Sequence, residues 1–355
     1  MGDRLCCRWD SKERRGAMRT LFIGRRAVSV RRESEHLVVV NHAEGVDAVP
    51  QRVPLKEIER VVVVGEPSIS FQVLVYFMKH AVPCSFLSAG GRWLGALAMC
   101  ENHDAPRRMM QYRCLEDAEH MLRIAKRLVV AKVTNEIRVL QRLMYAEPRH
   151  PKPEGSAWGT LQSCVHWIDG IMSASKLRGV EGMAARLYFE ILKTYFPADM
   201  PFEGRNRHPP KDPVNAALSF AYALVQYELD TVIRSHGLDA SVGVLHTTSG
   251  RSPALTLDLM EPFRPAIADR LILNLCRTRR LRAMEHFEAV ADGGVHLNEA
   301  GRAVLLPAFE EMMQTPFRDG DSGHMTDFRQ VFQATVATFI QCLQSDAAPA
   351  FFRLN

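Results

Sequence analysis

The sequence predicts an α+β protein, with a small N-terminal β-rich domain followed by a larger all-helical C-terminal domain. From Thr20 to about Cys100 the apolar residues form short, β-branched runs separated by glycine and asparagine, which is typical of strands and turns. From about Pro106 they recur every three or four residues, the period of an amphipathic helix. Strands first and helices afterwards favour two segregated domains over an alternating α/β sheet.

The composition is that of a globular protein with a mild positive charge. The chain has 355 residues, 47% hydrophobic and 24% charged, and its 45 Lys+Arg against 40 Asp+Glu give a net charge of +5. That excess is compatible with a polyanionic partner. We find no apolar run of about 18 residues and no charged start followed by an apolar stretch. We therefore expect no membrane span and a cytoplasmic location.

The eight cysteines are scattered, without a CxxC pair, so we predict reduced and mostly buried thiols rather than a zinc or redox motif.

The predicted strands share an apolar or β-branched core. They are Thr20–Ile23, Ala27–Val30, Leu37–Val40, Val61–Val64, Cys84–Leu87 and Trp93–Ala98. One helix is predicted among them, with Ser68 as its N-cap and Phe71, Leu74 and Met78 at helical spacing. The pair Gly90–Gly91 predicts a hairpin turn.

A long amphipathic helix is predicted from Ala118 to Met144. Its other faces carry basic residues, for which two interpretations stay open: a solvated face or a phosphate-facing stripe. These residues are Arg123, Lys126, Arg127, Lys132, Arg138 and Arg142. A loop is predicted at 146–155, followed by helices near 158–176, 180–196, 213–236, 262–290, 299–315 and 324–345. The predicted domain bounds are a basic tail (1–17), a β-rich dimerisation domain (18–105), a helical catalytic domain (106–323) and a C-terminal helix or tail (324–355).

The sequence contains no GxSxG, HExxH or Walker A motif. Two clusters each contain one residue that could ligate a metal. Glu181 stands between Gly179 and Gly182 at a predicted helix start, where small neighbours let a ligand approach. His246 follows the apolar run Val242–Leu245. The alternatives are a helix-capping glutamate and a structural histidine.

A third cluster holds two acids three residues apart, Asp258 and Glu261, in an apolar frame. Buried acids need compensation, which a divalent cation supplies. Pro262 predicts a helix start beside Glu261. The alternative is a helix cap with a salt bridge to Arg264.

Together these residues form a mixed oxygen and nitrogen ligand set, which suits Mg²⁺ or Mn²⁺ better than structural zinc. A hard cation in a basic protein suggests phosphodiester chemistry.

Four segments resemble one known family, the CRISPR-associated integrase, which is the metal-dependent DNase subunit of the spacer-acquisition machinery. They are GVEGMAARLYF, RNRHPPKDPVNAALSFAYAL, GVLHTTSGRSPALTLDLMEPFRP and the segment ending in FLSAGGRWLG. The resemblance covers about Met18 to Phe317, and departs from the family before Met18 and after about Asp319. It implies the same two-domain layout, with Glu181, His246 and Glu261 as catalytic metal ligands and Asp258 as a supporting acid.

The resemblance also implies an activity and partners. The 3′-hydroxyl of a short DNA fragment attacks a phosphodiester at the repeat boundary of a CRISPR array, and water in its place cuts DNA. The family acts on double-stranded DNA as homodimers bridged by a small ferredoxin-like Cas subunit, a heterohexamer. DNA contacts are expected among residues in or beside the matching segments: Arg178, Arg186, Tyr188, Arg205, Arg207, Lys211, Arg264 and Arg270. For Tyr188, a place in the core is the alternative.

Two other classes of function stay open from the sequence. One is a branched-DNA repair nuclease or a transposon-type integrase. The other is a non-catalytic DNA-binding scaffold in which the acids only cap helices.

Overall fold

The computed structural model describes residues 20–24, 28–42, 49–97, 104–150, 156–206, 209–246, 253–290, 293–320, 323–345 and 350–355, and the backbone of Cys7–Arg8. The strands are β1 (Cys7–Arg8), β2 (Thr20–Ile23), β3 (Val28–Glu33), β4 (His36–Asn41), β5 (Gln51–Pro54), β6 (Arg60–Val64), β7 (Ser68–Ile69), β8 (Cys84–Leu87), β9 (Trp93–Ala96), β10 (Phe287–Ala289), β11 (Val295–Leu297), β12 (Phe317–Arg318) and β13 (Met325–Thr326). The helices are α1 (Phe71–Lys79), α2 (Ala105–Cys114), α3 (Ala118–Ala146), α4 (Ala157–Asp169), α5 (Ala174–Leu192), α6 (Pro213–Ser235), α7 (Ala254–Met260), α8 (Arg270–Arg277), α9 (Ala283–His286), α10 (Glu299–Gln314) and α11 (Phe328–Gln344).

The strand-rich region followed by a mostly helical region confirms the predicted fold class. The predicted basic tail of residues 1–17 lies outside the described residues, apart from the backbone of β1. No helix in the described part of the chain is long and apolar enough to cross a membrane.

Two sheets and α1 share one core. The first sheet has the order β1-β2-β6-β8-β9, and the second has the order β5-β4-β3-β7. All five residues of β6 are buried because this strand lies between two parallel neighbours, which explains the unbroken valine run Val61–Val64. Elsewhere alternate residues face the core, as with Val28 and Val30.

The predicted N-cap of α1 is wrong. Ser68 lies in β7, which pairs in parallel with β3, and the helix begins after Ser70. The strand pairing therefore decides the position of this serine.

The hairpin turn predicted at Gly90–Gly91 is present between β8 and β9. Gly91 has a φ of +81°, a conformation that favours glycine. A Cβ atom at Gly91 would collide with the ring of Phe220, and one at Gly90 with the ring of His296.

The chain divides into two compact units that each join distant segments. We call Met1–Glu101, His208–Ala223 and Leu281–Gln314 the strand-rich unit. We call Asn102–Arg207, Leu224–Arg280 and Thr315–Asn355 the helical unit. The division falls inside α6, so residues beyond the N-terminal region belong to the strand-rich unit.

The long helix α3 is the centre of the helical unit. It packs against α4, α5 and the π-helical turn Arg264–Asp269, and these contacts bury residues on several of its faces.

The four cysteines at 84, 164, 276 and 342 are buried and free, as predicted. Burial raises the pKa of Cys84 and of Cys276 to about 12.

The predicted helix at 262–290 is wrong. The chain is helical from Ala254, passes through the π-helical turn and α8, and then forms the short helix α9 and strand β10. Pro262 and Pro265 have no backbone N–H, so the regular α-helical ladder cannot pass through them, and the chain adopts the wider turn. The helices predicted at 158–176 and 180–196 are α4 and α5, because Ser173 caps a new helix.

The last residues of the chain pack into the helical unit. The buried side chain of Asn135 donates from Nδ2 to the carbonyl of Pro262 (2.8 Å) and to that of Phe352 (3.3 Å). Its Oδ1 accepts from the backbone N–H of Leu354 (2.8 Å). The Phe352 ring stacks on Phe263, with centroids 5.4 Å apart. We call this arrangement the Asn135 clamp.

We expect Asn135→Ala to lower the free energy of unfolding by about 1–3 kcal/mol, because it leaves buried backbone groups without hydrogen-bond partners. Urea denaturation measures the change. The control is Arg138→Ala on the exposed face of the same helix, which should stay within about 0.5 kcal/mol. Equal effects of the two substitutions would contradict the clamp.

Candidate metal centre

Two of the predicted ligands, Glu181 and Glu261, converge on one ammonium group in the helical unit. Lys132 of α3 contacts Oε1 of Glu181, and its Nζ is 2.6 Å from Oε2 of Glu261. Its side chain is only 7% exposed. Burial lowers the pKa of Lys132, but the carboxylates of Glu261 and Glu181 outweigh burial and raise it. The lysine is therefore charged.

Glu181 lies in the middle of α5 rather than at a helix start, which corrects the prediction. The helix begins at Ala174 behind the Ser173 cap. At 22% exposure, the Glu181 side chain is the most accessible of the three groups in this ion-pair chain.

Glu261 follows the last residue of α7, so the helix start predicted at Pro262 is also wrong. The predicted salt bridge is present: Nε of Arg264 donates to Oε1 of Glu261 over 3.0 Å. Burial raises the pKa of Glu261, but Arg264 and Lys132 outweigh burial and hold it well below its ordinary value. Glu261 is therefore an ionised carboxylate.

The supporting acid Asp258 holds His246 in position. Its fully buried carboxylate accepts from the backbone N–H groups of Val244 (2.5 Å), Leu245 (2.9 Å) and His246 (2.9 Å). The Asp258 Oδ1 atom is also 2.5 Å from Nδ1 of His246. With Nδ1 engaged, Nε2 is the atom through which this imidazole can ligate or transfer a proton.

Gly243 makes this loop possible, because a Cβ at that position would collide with the Asp258 carboxylate and the backbone of Ala254.

A fourth acid, Glu136, lies one helical turn beyond Lys132 on α3 and is 2% exposed. Burial raises its pKa to about 8, against the opposing effect of Lys132. Its Oε2 atom has no hydrogen-bond partner within the part of the chain that the structure describes.

The donor set fits a divalent cation in its chemistry, because two carboxylates already converge on a positive charge and a carboxylate-held imidazole belongs to the same unit. Glu181, Glu261 and Nε2 of His246 would hold the cation. In the arrangement described, no three His, Cys, Asp or Glu side chains converge closely enough to hold a metal, as judged over the described residues. The ammonium of Lys132 is the cation that joins the carboxylates.

Among the predicted DNA contacts, Arg178 and Arg186 are exposed on α5, the helix that carries Glu181. Arg178 also donates to the carbonyl of Leu245 over 3.3 Å. Arg264 is engaged with Glu261, and Arg270 is held by the carbonyl of Ala266.

The remaining predicted contacts are dispersed. Tyr188 is 0% exposed, which favours the core alternative. Arg205 donates to the carbonyl of Asn206, and Lys211 is exposed on the strand-rich unit. Arg207 lies outside the described residues.

Lys132 and Glu136 belong to this centre but are not among the residues predicted for it from the sequence. Both sequence interpretations of Lys132, a solvated face and a phosphate-facing stripe, require an accessible ammonium, and the structure corrects them because the residue is buried. A signal was present: Lys132 and Asn135 continue the spacing of the buried residues Ala125, Leu128 and Val139.

The chain thus has a strand-rich unit and a helical unit, and the helical unit carries the candidate acids Glu181 and Glu261 and the imidazole of His246. The family model described as CRISPR associated protein Cas1 matches residues 21–311, and the chain therefore belongs to the Cas1 family.

Two curated relatives are named CRISPR-associated endonuclease Cas1 1. The protein of Thermus thermophilus is 34% identical over 327 residues, covering 92% of this chain and 95% of the relative. The protein of Chlorobaculum tepidum is 30% identical over 303 residues, covering 84% and 87%. A Cas4/Cas1 fusion of Myxococcus xanthus is 30% identical over 320 residues, covering 89% of this chain and 56% of the fusion.

Solved structures share the fold at lower identity. A Cas1 protein from Thermotoga maritima has a TM-score of 0.74 at 22% identity, covering 90% of this chain and 95% of that chain. A casposase bound to integration product has a TM-score of 0.82 at 21% identity, covering 95% and 96%. A Cas6-RT-Cas1–Cas2 complex has a TM-score of 0.77 at 18% identity, covering 97% and 37%.

The His246–Asp258 pair predicts a pH-dependent stability. The hydrogen bond to Asp258 raises the pKa of His246 above its ordinary value. The pair therefore stabilises the fold fully below about pH 6.5, and this stabilisation is lost as the pH rises through the raised folded-state pKa. In the presence of a chelator, we expect wild type to have a larger free energy of unfolding than His246→Gln. This difference between the two proteins should be larger at about pH 5.5 than at about pH 9. Urea denaturation at both pH values measures this, and an equal difference would contradict it.

Proposed function

We propose that this chain is a metal-dependent DNA endonuclease and integrase that inserts short foreign DNA fragments into a CRISPR array. The observation that carries the proposal is the convergence of Glu181 and Glu261 on one positive charge, in a chain of the Cas1 family. The endonuclease names of the curated relatives support the cleavage reaction. Similarity of fold to the casposase bound to integration product supports strand transfer as the related reaction.

In the proposed reaction, a DNA 3′-hydroxyl attacks a phosphodiester, a new phosphodiester forms and the displaced strand leaves with a free hydroxyl. Bound Mg²⁺ or Mn²⁺ supplies the charge that polarises the phosphate and lowers the pKa of the attacking hydroxyl. Glu181, Glu261 and His246 hold and orient the reacting groups, and Asp258 keeps the imidazole in one orientation. With water as the nucleophile, the same groups support hydrolysis.

The proposed partners are double-stranded DNA, a second copy of the chain and a small ferredoxin-like Cas subunit that bridges two dimers into a heterohexamer. The Cas6-RT-Cas1–Cas2 complex among the similar structures supports a Cas partner subunit. The dimerisation role of residues 18–105 and the cytoplasmic location belong to the same proposal.

A non-catalytic DNA-binding scaffold is the second candidate, because three metal-binding side chains do not converge among the residues that the structure describes. Under this alternative the acids serve only to pair Lys132 and Arg264. A branched-DNA nuclease would share the catalytic residues and differ in its preferred substrate.

We expect Glu181→Gln, Glu261→Gln and His246→Ala each to lower strand transfer by about 100-fold or more, because even residues behind a metal ligand change activity by about 10–100-fold. The assay combines a short duplex with free 3′ ends, a supercoiled plasmid bearing a CRISPR repeat, Mn²⁺ and the bridging subunit.

The matched control is Glu190→Gln, an exposed acid nine residues further along α5 that pairs with Lys193 and should retain activity. Product that persists in all three site variants would contradict the assignment of these residues as catalytic metal ligands. Wild type that cleaves branched DNA and transfers no strands would favour the repair nuclease, and wild type inactive in both assays would favour the scaffold.

Arg186→Ala tests the exposed basic surface of α5. We expect weaker DNA binding and a decrease of about 1 in the slope of log affinity against log salt concentration, the effect of one lost phosphate contact. Fluorescence anisotropy over a salt series measures the slope. Arg31→Ala, an exposed arginine that pairs with Glu33 on β3, is the control. An unchanged slope for Arg186→Ala would remove this residue from the interface.

A further inference from the structure

The two carboxylates proposed as metal ligands are already joined by a cation that belongs to the protein. Lys132 contacts Glu181 and lies 2.6 Å from Glu261, measured from Nζ to Oε2. A divalent cation bound by the same two carboxylates would occupy the space of this ammonium and repel its charge. Lysine and metal therefore exclude each other at this position.

The structure also contains a second acceptor for the ammonium. Glu136 lies four residues after Lys132 on α3, the spacing at which two helical side chains are neighbours. It is 2% exposed, and its Oε2 has no hydrogen-bond partner among the described residues. Because Lys132 and Glu136 are buried on neighbouring turns of α3, a rotation about the side-chain bonds of Lys132 would carry its ammonium toward Glu136.

We propose that Lys132 is a built-in competitor of the metal, holding Glu181 and Glu261 together until a divalent cation displaces its ammonium toward Glu136. This inference rests on the proposed function, since it assigns the metal to the Glu181–Glu261 pair. It makes Lys132 a positioning residue that sets metal affinity. It makes Glu136 the residue that receives the displaced charge.

Substitution of Lys132 has two opposite effects under this proposal. Without the ammonium, Glu181 and Glu261 repel each other, so the metal-free protein loses stability. The same repulsion is relieved by a dication that no longer has to displace a lysine. We therefore expect Lys132→Met to lower the melting temperature in chelator and to bind Mn²⁺ about tenfold more tightly than wild type does.

Substitution of Glu136 distinguishes two roles of Lys132: a competitor of the metal and a lysine that only stabilises the fold. Glu136→Gln removes the carboxyl group that receives the ammonium, so we expect Mn²⁺ affinity to fall several-fold. In the Lys132→Met background no ammonium is displaced, and Glu136→Gln should then leave the affinity unchanged. This coupling between the two substitutions is the readout that a merely structural role would not produce.

The experiment is isothermal titration of the full chain with Mn²⁺ alone, with circular dichroism to confirm that each variant is folded. Lys126→Met on the same helix is the matched control, because Lys126 binds the carbonyl of Asp169 and no acid of the centre. Lys132→Gln is a second variant in case Lys132→Met does not fold.

The outcomes distinguish the two proposals. Tighter binding by Lys132→Met, with the Glu136 effect abolished, supports competition. Unchanged or weaker binding by folded Lys132 variants overturns it while leaving the metal site intact. If Glu181→Gln does not weaken Mn²⁺ binding by wild type, or if neither wild type nor Lys132→Met binds Mn²⁺, the proposed metal site itself is wrong, and the competition with it.

Discussion

The helical unit depends on the neutralisation of charges inside an apolar core. Lys132 is buried at the point where α3, α5 and the end of α7 meet, and an unpaired ammonium there would carry a large desolvation cost. Glu181 and Glu261 offset that cost, and removing one partner of such a pair typically destabilises a protein by about 3–5 kcal/mol. A second buried pair, Arg329 with Glu228, ties α11 to α6 in the same way. These pairings fix which faces of the helices meet.

The same requirement explains why the centre is supported from several directions. Glu261 is held by Arg264 on its own turn and by Lys132 from the opposite helix. The residue after it, Pro262, has its carbonyl bound by Asn135. His246 is positioned by the Asp258 carboxylate, which also organises the backbone of its loop. Each proposed ligand is thus restrained by a buried polar partner, which is the preorganisation that the proposed phosphodiester chemistry requires.

The length and spacing of the apolar runs were sufficient to predict the fold class, since the short valine run Val61–Val64 forms β6 and the apolar residues that recur every three or four positions form α3. It failed where tertiary contacts decide. An amphipathic stripe predicts a helix that is buried on one side, whereas α3 is packed on several sides and Lys132 is buried rather than on an outer face. The glycines around Glu181 predict a helix start there, although the helix begins behind the Ser173 cap at Ala174, seven residues before Glu181. Residue types and resemblance identified the candidate ligands, but only folded contacts reveal which cation joins them.

The C-terminal segment shows why matching residues to a family does not account for a whole centre. The family model ends at residue 311, yet residues 350–355 contact Asn135 and stack on Phe263, two positions beyond Glu261. The backbone that carries a proposed ligand is therefore held by a part of the chain outside the family match. Asn135 is the link, because its single amide binds the carbonyls of both Pro262 and Phe352. The side chain of Asn135 thus connects residues 350–355 to the backbone beside Glu261. The proposed ligands lie inside the family match, whereas residues 350–355, which support the backbone of Pro262 through Asn135, lie outside it.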